Sequence, residues 1–167
     1  MATICQAQSQ DDIEGVRELL FEYLSWATDQ AKELYHEVVD VDEMLDHSMS
    51  EINLFSPPSG RLLLAREEGV AAGVAFMKSI REDTCEIKRM YVRPVYRGKK
   101  IGRNLLNQFI QDAKEIGYSK ILLDSARFMR EAHSLYRSAG FKDIELYPET
   151  EMLEDFQEHM VYMELEL

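Results

Sequence analysis

Basic residues are scarce in this chain: 19 Lys and Arg stand against 31 Asp and Glu among 167 residues, a formal net charge of −12. A protein so acidic lacks the broad cationic face that nucleic-acid backbones or anionic membranes select, so neither partner is expected. Cysteine is scarcer still. Cys5 and Cys85 are the only two and have no metal-ligand spacing, which points to buried thiols in a reducing cytoplasm and to no metal site. The longest apolar run, residues 70–77, is far too short to cross a bilayer. The N-terminus has neither the basic stretch nor the apolar stretch of a secretion signal, and no repeat or low-complexity segment interrupts the chain. What remains is 46% apolar and 30% charged, the composition of a soluble globular protein. A length of 167 residues fits one domain, 1–167, with a substantial core.

Periodicity predicts the elements. Residues 2–7 suit a short strand, and Ser9 with Asp12 forms a capping box for a helix to about residue 25, with Ile13, Val16, Leu20 and Tyr23 inward. A second, irregular and acidic helical stretch is expected over roughly 29–50, and the cluster Ser56-Pro57-Pro58-Ser59-Gly60 is a clear break. Residues 61–66 and 70–79 read as a hairpin, and 84–92 as a third strand. A helix over 102–116, a strand over 120–125, a helix over 130–138 and strands over 141–146 and 159–166 complete the order. In the last of these Val161, Met163 and Leu165 alternate with polar neighbours, one face buried and one wet. The order gives an α/β layered fold, a mixed, mostly antiparallel sheet of about six to seven strands with helices on both faces.

The stretch from Glu86 to Ile116 organises the rest. A strand ending in Met90-Tyr91-Val92 is stopped by Pro94, and the basic loop Arg97-Gly98-Lys99-Lys100-Ile101-Gly102 follows. Leu105, Leu106, Phe109, Ile110, Ala113 and Ile116 then form one helical face that ends at Gly117. Unpaired N–H groups of a helix's first turn, together with its dipole, make an anion site, and Arg97, Lys99, Lys100 and Arg103 surround it. Seven of the chain's basic residues and no acid lie between Lys88 and Arg103, which leaves twelve basic against 31 acidic residues elsewhere. A phosphate-bearing ligand is therefore expected here and repelled elsewhere. No Lys-Ser or Lys-Thr follows either glycine, as a P-loop needs, and the Rossmann spacing is absent.

The loop resembles motif A of the GNAT superfamily of N-acetyltransferases, R/Q-x-x-G-x-G/A, preceded here by the typical Tyr91-Val92-Arg93-Pro94-Val95-Tyr96. Leu135-Tyr136-Arg137-Ser138-Ala139-Gly140-Phe141 matches the family's Leu-Tyr-x-x-x-Gly-Phe, and Cys85 to Val92 its fourth strand. Gly60 to Ala65 and Tyr162 to Leu165 are similar to one bacterial branch. Two positions depart from the pattern: Lys100 replaces the first glycine, where a left-handed backbone would be strained, and Met129 replaces a common Asn seven residues before the Tyr. The resemblance implies acetyl-CoA as co-substrate. Its binding set would be Met90, Tyr91, Val92, Arg97, Gly98, Lys99, Lys100, Ile101, Gly102, Arg103, Ser125, His133 and Tyr136. In this family the fourth strand is splayed from its neighbour, so backbone groups of Met90 and Val92 would pair with the pantetheine, and the Val92 N–H would hold the oxyanion.

Acetyl transfer to an amine needs a base for the ammonium and an acid for the leaving thiolate. Tyr136 is the candidate acid, since a phenol is protonated at neutral pH; the alternative is a core ring with its hydroxyl at the rim. Glu86 is the candidate base, directly or through water; otherwise it is a surface carboxylate paired with Lys88. Strand alternation sets Glu86, Lys88 and Met90 on one face and Ile87, Arg89 and Tyr91 on the other. Cys85 is read as an inert core thiol. The acids of the tail (Asp143, Glu145, Glu149, Glu151, Glu154, Asp155, Glu158) suggest a cationic small-molecule or peptide amine as acceptor. A non-catalytic acyl-CoA sensor and a protein-interaction module are the rival readings, and a homodimer is compatible with all three.

Overall fold

The computed structural model describes residues 1–167. Seven strands form one sheet in the order β1-β2-β3-β4-β5-β7-β6: β1 (Thr3–Gln6), β2 (Arg61–Glu67), β3 (Val70–Arg81), β4 (Thr84–Val92), β5 (Lys120–Ala126), β6 (Lys142–Ile144) and β7 (Met160–Glu166). Every pairing is antiparallel except β4 with β5. A helix, α3 (Ile101–Ile116), connects that parallel pair, as a crossover must. Glu68 and Gly69, both with positive φ (51° and 82°), close the β2–β3 hairpin, the geometry that matches strand twist.

Side-chain alternation divides the core. Leu62, Leu64, Val74 and Phe76 pack against α1 (Gln10–Tyr35) and α2 (Val41–Ser50) through Val16, Leu19, Leu20, Leu24 and Leu45. Leu63, Ala65, Ala75, Met77, Cys85, Ile87, Ile121 and Leu123 face α3 and α4 (Arg130–Ser138), where Leu105, Leu106, Phe109 and Tyr136 are buried. Each Val, Leu, Ile, Phe or Met among these contributes about 1.5–3 kcal/mol, so both layers are held by the sheet they share. A fifth, four-residue helix, α5 (Glu154–Gln157), precedes β7.

Two expected element bounds are corrected. Helix α1 does not stop near residue 25 but continues to Tyr35. No Gly or Pro lies in that stretch, and the Thr28 hydroxyl donates back to the Leu24 carbonyl at 2.8 Å. The break falls at residues 36–40. His36 turns left-handed, its N–H on the Lys32 carbonyl and the Glu37 N–H on that of Ala31, and Asp40 caps α2 by accepting the Glu43 N–H at 3.0 Å. The predicted strand over 141–146 is also shorter, three residues on the sheet edge.

The third correction bears on the site. Phe76 pairs with Lys88 and Val74 with Tyr91, so two residues of β4, Arg89 and Met90, oppose Ala75 alone. This is a β-bulge, with Arg89 left-handed (φ 49°). The extra residue reverses the alternation beyond it. Tyr91 joins Glu86 and Lys88 on the α1 side, in contact with the Tyr23 ring (centroids 5.8 Å apart), and Met90 packs toward α3.

Candidate active site

The basic loop before α3 has the backbone geometry its glycine suggests, with one strained joint. Gly98 takes φ 82°, and Lys100, the residue capping α3, is itself left-handed (φ 63°) and offers no side-chain cap. The first helical bond runs from the Asn104 N–H to the Lys100 carbonyl, and no N–H from Gly98 to Arg103 has a backbone acceptor. Six amides thus stand at the positive end of a 16-residue helix. Gly73 lets this end close on the sheet; a Cβ there would meet the Tyr91 carbonyl and the Ile101 side chain at 3.1 and 3.2 Å. Ile101 is buried, so its amide alone can meet a ligand.

The cations around the loop are fewer than the sequence implied. Arg93 bonds Glu22 and Glu18 on α1, and Lys88 donates to Glu151 at 2.7 Å on the opposite face. Lys99 lies 3.3 Å from Glu67 and over the Tyr96 ring. Arg97 donates to the Val92 carbonyl at 3.1 Å and Arg103 to the Ser138 hydroxyl at 2.8 Å, so both keep an uncompensated charge beside the helix end, as does Lys100.

Beside the loop the sheet opens. β4 and β5 pair only from Thr84 with Lys120 to Ile87 with Leu123; beyond that, Lys88–Val92 and residues 124–126 diverge. The Arg93 N–H bonds the Ala72 carbonyl of β3 at 2.9 Å. Strand alternation therefore turns the Val92 N–H the other way, into the gap. Tyr136 is buried beneath this gap on α4, its ring 5.7 Å from that of Phe141. Burial raises its phenol well above the ordinary value, helped by Tyr23 and Asp124, so the hydroxyl stays protonated.

On the α1 side the gap is lined by charge. Glu86 has no exposed surface and is therefore not the surface carboxylate weighed from the sequence. It accepts a hydrogen bond from the Tyr147 hydroxyl at 2.7 Å, while its other oxygen, 3.5 Å from the Lys88 ammonium, has no hydrogen-bond donor. Burial raises its pKa, against the pull of Lys88 and Tyr147. Asp124 is the first residue of β5 past the β4 pairing and accepts from the Thr150 hydroxyl at 3.1 Å.

The segment from Tyr147 to Glu151 straps this face of the sheet. Glu149 pairs with Arg81, and Glu151 with Lys78 and Lys88; Asp143 pairs with Arg137. Three of the seven tail acids are thus neutralised internally, which leaves fewer of them to line a cationic acceptor site.

Of the residues expected to touch the cofactor, Met90, Val92, Gly98, Lys99, Lys100, Ile101, Gly102, Arg97 and Arg103 border the loop and gap, Tyr91 only through its backbone. Ser125 and His133 are turned to each other, with Nε2 and Oγ 2.9 Å apart and both side chains buried. Desolvation and Arg137 lower the His133 pKa. Cys85 is a buried thiol pushed up to about 12 by burial, unsuited to nucleophilic attack. Asp124 and Tyr147 were not expected at the site, and Tyr23 was expected only as an inward residue of the first helix. Only Asp124 had a local signal, an acid after the apolar run Ile121-Leu122-Leu123.

A seven-stranded mixed sheet, split beside a Gly-containing helix cap, is an arrangement with close relatives. Over 167 residues the chain is 34% identical to an uncharacterized N-acetyltransferase of Schizosaccharomyces pombe, covering 99% of this chain and 94% of that one. Its fold superposes on the PaiA N-acetyltransferase of Thermoplasma acidophilum, solved in complex with coenzyme A, with a TM-score of 0.76 at 22% identity, covering 100% and 99% of the two chains. The YncA protein of Salmonella typhimurium, solved with its cofactor acetyl-CoA, gives 0.68 at 22% identity, covering 100% and 94%. Residues 16–141, from the buried face of α1 through the Tyr136–Phe141 motif, match the family model described as acetyltransferase (GNAT) family, and the chain belongs to that family of acetyltransferases.

Proposed function

We propose that residues 1–167 act as one domain that moves an acetyl group from acetyl-CoA to a primary amine by direct attack in a ternary complex. The observation that carries this reading is the juxtaposition of the β4–β5 gap with the six free amides at the start of α3. The diphosphate would sit on those amides beside Arg97, Lys100 and Arg103. The pantetheine would lie in the gap, bonded to the open edge at Met90 and Val92. The thioester then comes beneath the Val92 N–H, where a backbone donor to the developing oxyanion contributes about 3 kcal/mol.

In the reaction the amine nitrogen forms a bond to the carbonyl carbon and the C–S bond breaks. The ammonium proton leaves toward Glu86 and Asp124; Glu86, enclosed by the strap, receives it through a water. As the C–S bond breaks, the departing thiolate takes the Tyr136 proton, and the second N–H proton of the former ammonium passes to the Tyr136 oxygen, leaving a neutral amide, a free thiol and a restored phenol. The coenzyme supplies the activated acyl carbon, and these side chains position and move protons.

The test is thiol release with acetyl-CoA across a panel of amines, for the wild type and Tyr136→Phe. A positioned acid is worth about 10²-fold or more, so turnover should fall by that factor while coenzyme A still raises the melting temperature of the variant. Equal rates in both would remove Tyr136 from the mechanism. Thermal protection by coenzyme A without thiol release for any amine would make the chain a binder of the donor only.

A further inference from the structure

One side chain at the gap has no role in the chemistry above. Arg89 occupies the bulge of β4 in a left-handed conformation, which an L-residue adopts at a cost of about 1–2 kcal/mol; strain of this kind collects at binding sites. Its guanidinium lies over the Phe76 ring, 5.8 Å from the centroid, on the α1 side of the sheet. There Nη1 is buried and has no hydrogen-bond partner. The other arginines that are not exposed are all compensated: Arg61 by Asp112, Arg66 by Asp11 and Asp12, Arg93 by Glu18 and Glu22. Arg89 alone combines partial burial, an unpaired nitrogen and no carboxylate partner. Leaving a buried charged donor unpaired is costly, so the position is built for a group that arrives with the ligand.

That group is not the cofactor's diphosphate. The loop and α3 lie on the opposite face of the sheet, where Ile101 and Leu105 pack. Arg89 instead shares the α1 side of the sheet with Asp124, which strand alternation places on the face of Leu122, under the strap whose Thr150 it bonds. A cation and an anion thus flank the gap on the α1 side, one without a partner and one on β5 just past the β4 pairing.

We propose that Arg89 binds a carboxylate of the acceptor, so that the amine substrate is a free amino acid or a similar short amino carboxylate. The guanidinium takes the carboxylate as a fork of two N–H donors, and the amine is directed toward Asp124 and Glu86. The proposal deepens the transfer reading above and rests on it for the identity of the amine as acceptor.

The experiment pairs each amino acid with its decarboxylated counterpart: alanine with ethylamine, leucine with isoamylamine, lysine with cadaverine. With saturating acetyl-CoA, kcat/KM for at least one amino acid should exceed that of its partner by about 100-fold or more, since a site whose polar group is left unpaired rejects the analogue strongly. Arg89→Asn keeps a residue that tolerates the left-handed backbone. It should erase that preference through KM and leave the coenzyme A melting shift unchanged. Decarboxylated amines turned over as well as their amino acids, or a preference that survives Arg89→Asn, would overturn the proposal while leaving acetyl transfer standing. If no amine of either series is acetylated, the transfer reading fails, and calorimetric titration of the amino acids into the coenzyme A complex decides separately. Binding by the wild type and not by Arg89→Asn supports the carboxylate site; binding by neither, or equally by both, overturns it.

Discussion

Lys100 shows how one residue can be unfavourable for the fold and neutral for the site. It holds a left-handed φ of 63° with no capping bond in return, and the proposed role uses its amide rather than its ammonium. Lys100→Gly should therefore raise the unfolding free energy by about 1 kcal/mol, measured by denaturant titration, with at most a few-fold loss in coenzyme A affinity for the missing charge. Glu86 makes a prediction of opposite character. Its folded pKa is raised by burial, so the folded state holds that proton more tightly than the unfolded chain does. The protonated form's stability is fully present below the ordinary carboxylate value and is lost as pH rises through the raised one. Glu86→Gln carries no charge to bury. The two proteins should have similar melting temperatures near pH 4, and the variant should melt higher at pH 8, although its acetyl transfer at pH 8 falls about 10-fold or more. A wild type that melts higher at pH 8 would show that Lys88 and Tyr147 outweigh burial. The packing of Tyr136 beside Phe141 was legible because the two share a sequence motif; the bulge at Arg89 was not, because neither it nor the missing partner is written in neighbouring residues.

At the scale of elements, the strap from Tyr147 to Glu151 depends on charge. Burial works to raise the Glu151 carboxyl, but hydrogen bonds from Lys78 and Lys88 outweigh it and hold the pKa at about 2. Arg81 holds Glu149 at about 2 as well. Folded values below the unfolded ones mean stability that is present above the ordinary value near 4.5 and lost as pH falls toward 2. Amide exchange in residues 147–151 should accelerate over that window before the β2–β3 hairpin opens. Simultaneous opening of both would show that the strap belongs to the global folding unit. The hairpin, β4 and α3 were legible within a residue or two because alternation, turn residues and helical spacing are local. The bulge was not. A single extra residue is settled by the register against Val74 and Phe76, and it moved Tyr91 to the other face.

The whole-molecule plan, a mixed sheet with helices on both faces, followed from element order alone. What order could not show is how far α1 reaches. By continuing to Tyr35, the helix brings Trp26 edge-on to Phe128 at 5.5 Å and stacks Tyr35 on His159 at 3.8 Å, tying the first layer to the ends of β5 and β7. Those contacts matter because strands β1–β4 and β5–β7 are seamed along only four residue pairs. Such a sheet is two leaves on a short spine, and a donor molecule lying in the cleft would serve as mortar between them. At coenzyme A concentrations 100-fold above Kd the gain in stability is about 2.7 kcal/mol. Slowed exchange should then be shared by the inner margins of both leaves, residues 88–92 and 124–126, rather than confined to the margin the ligand bonds directly.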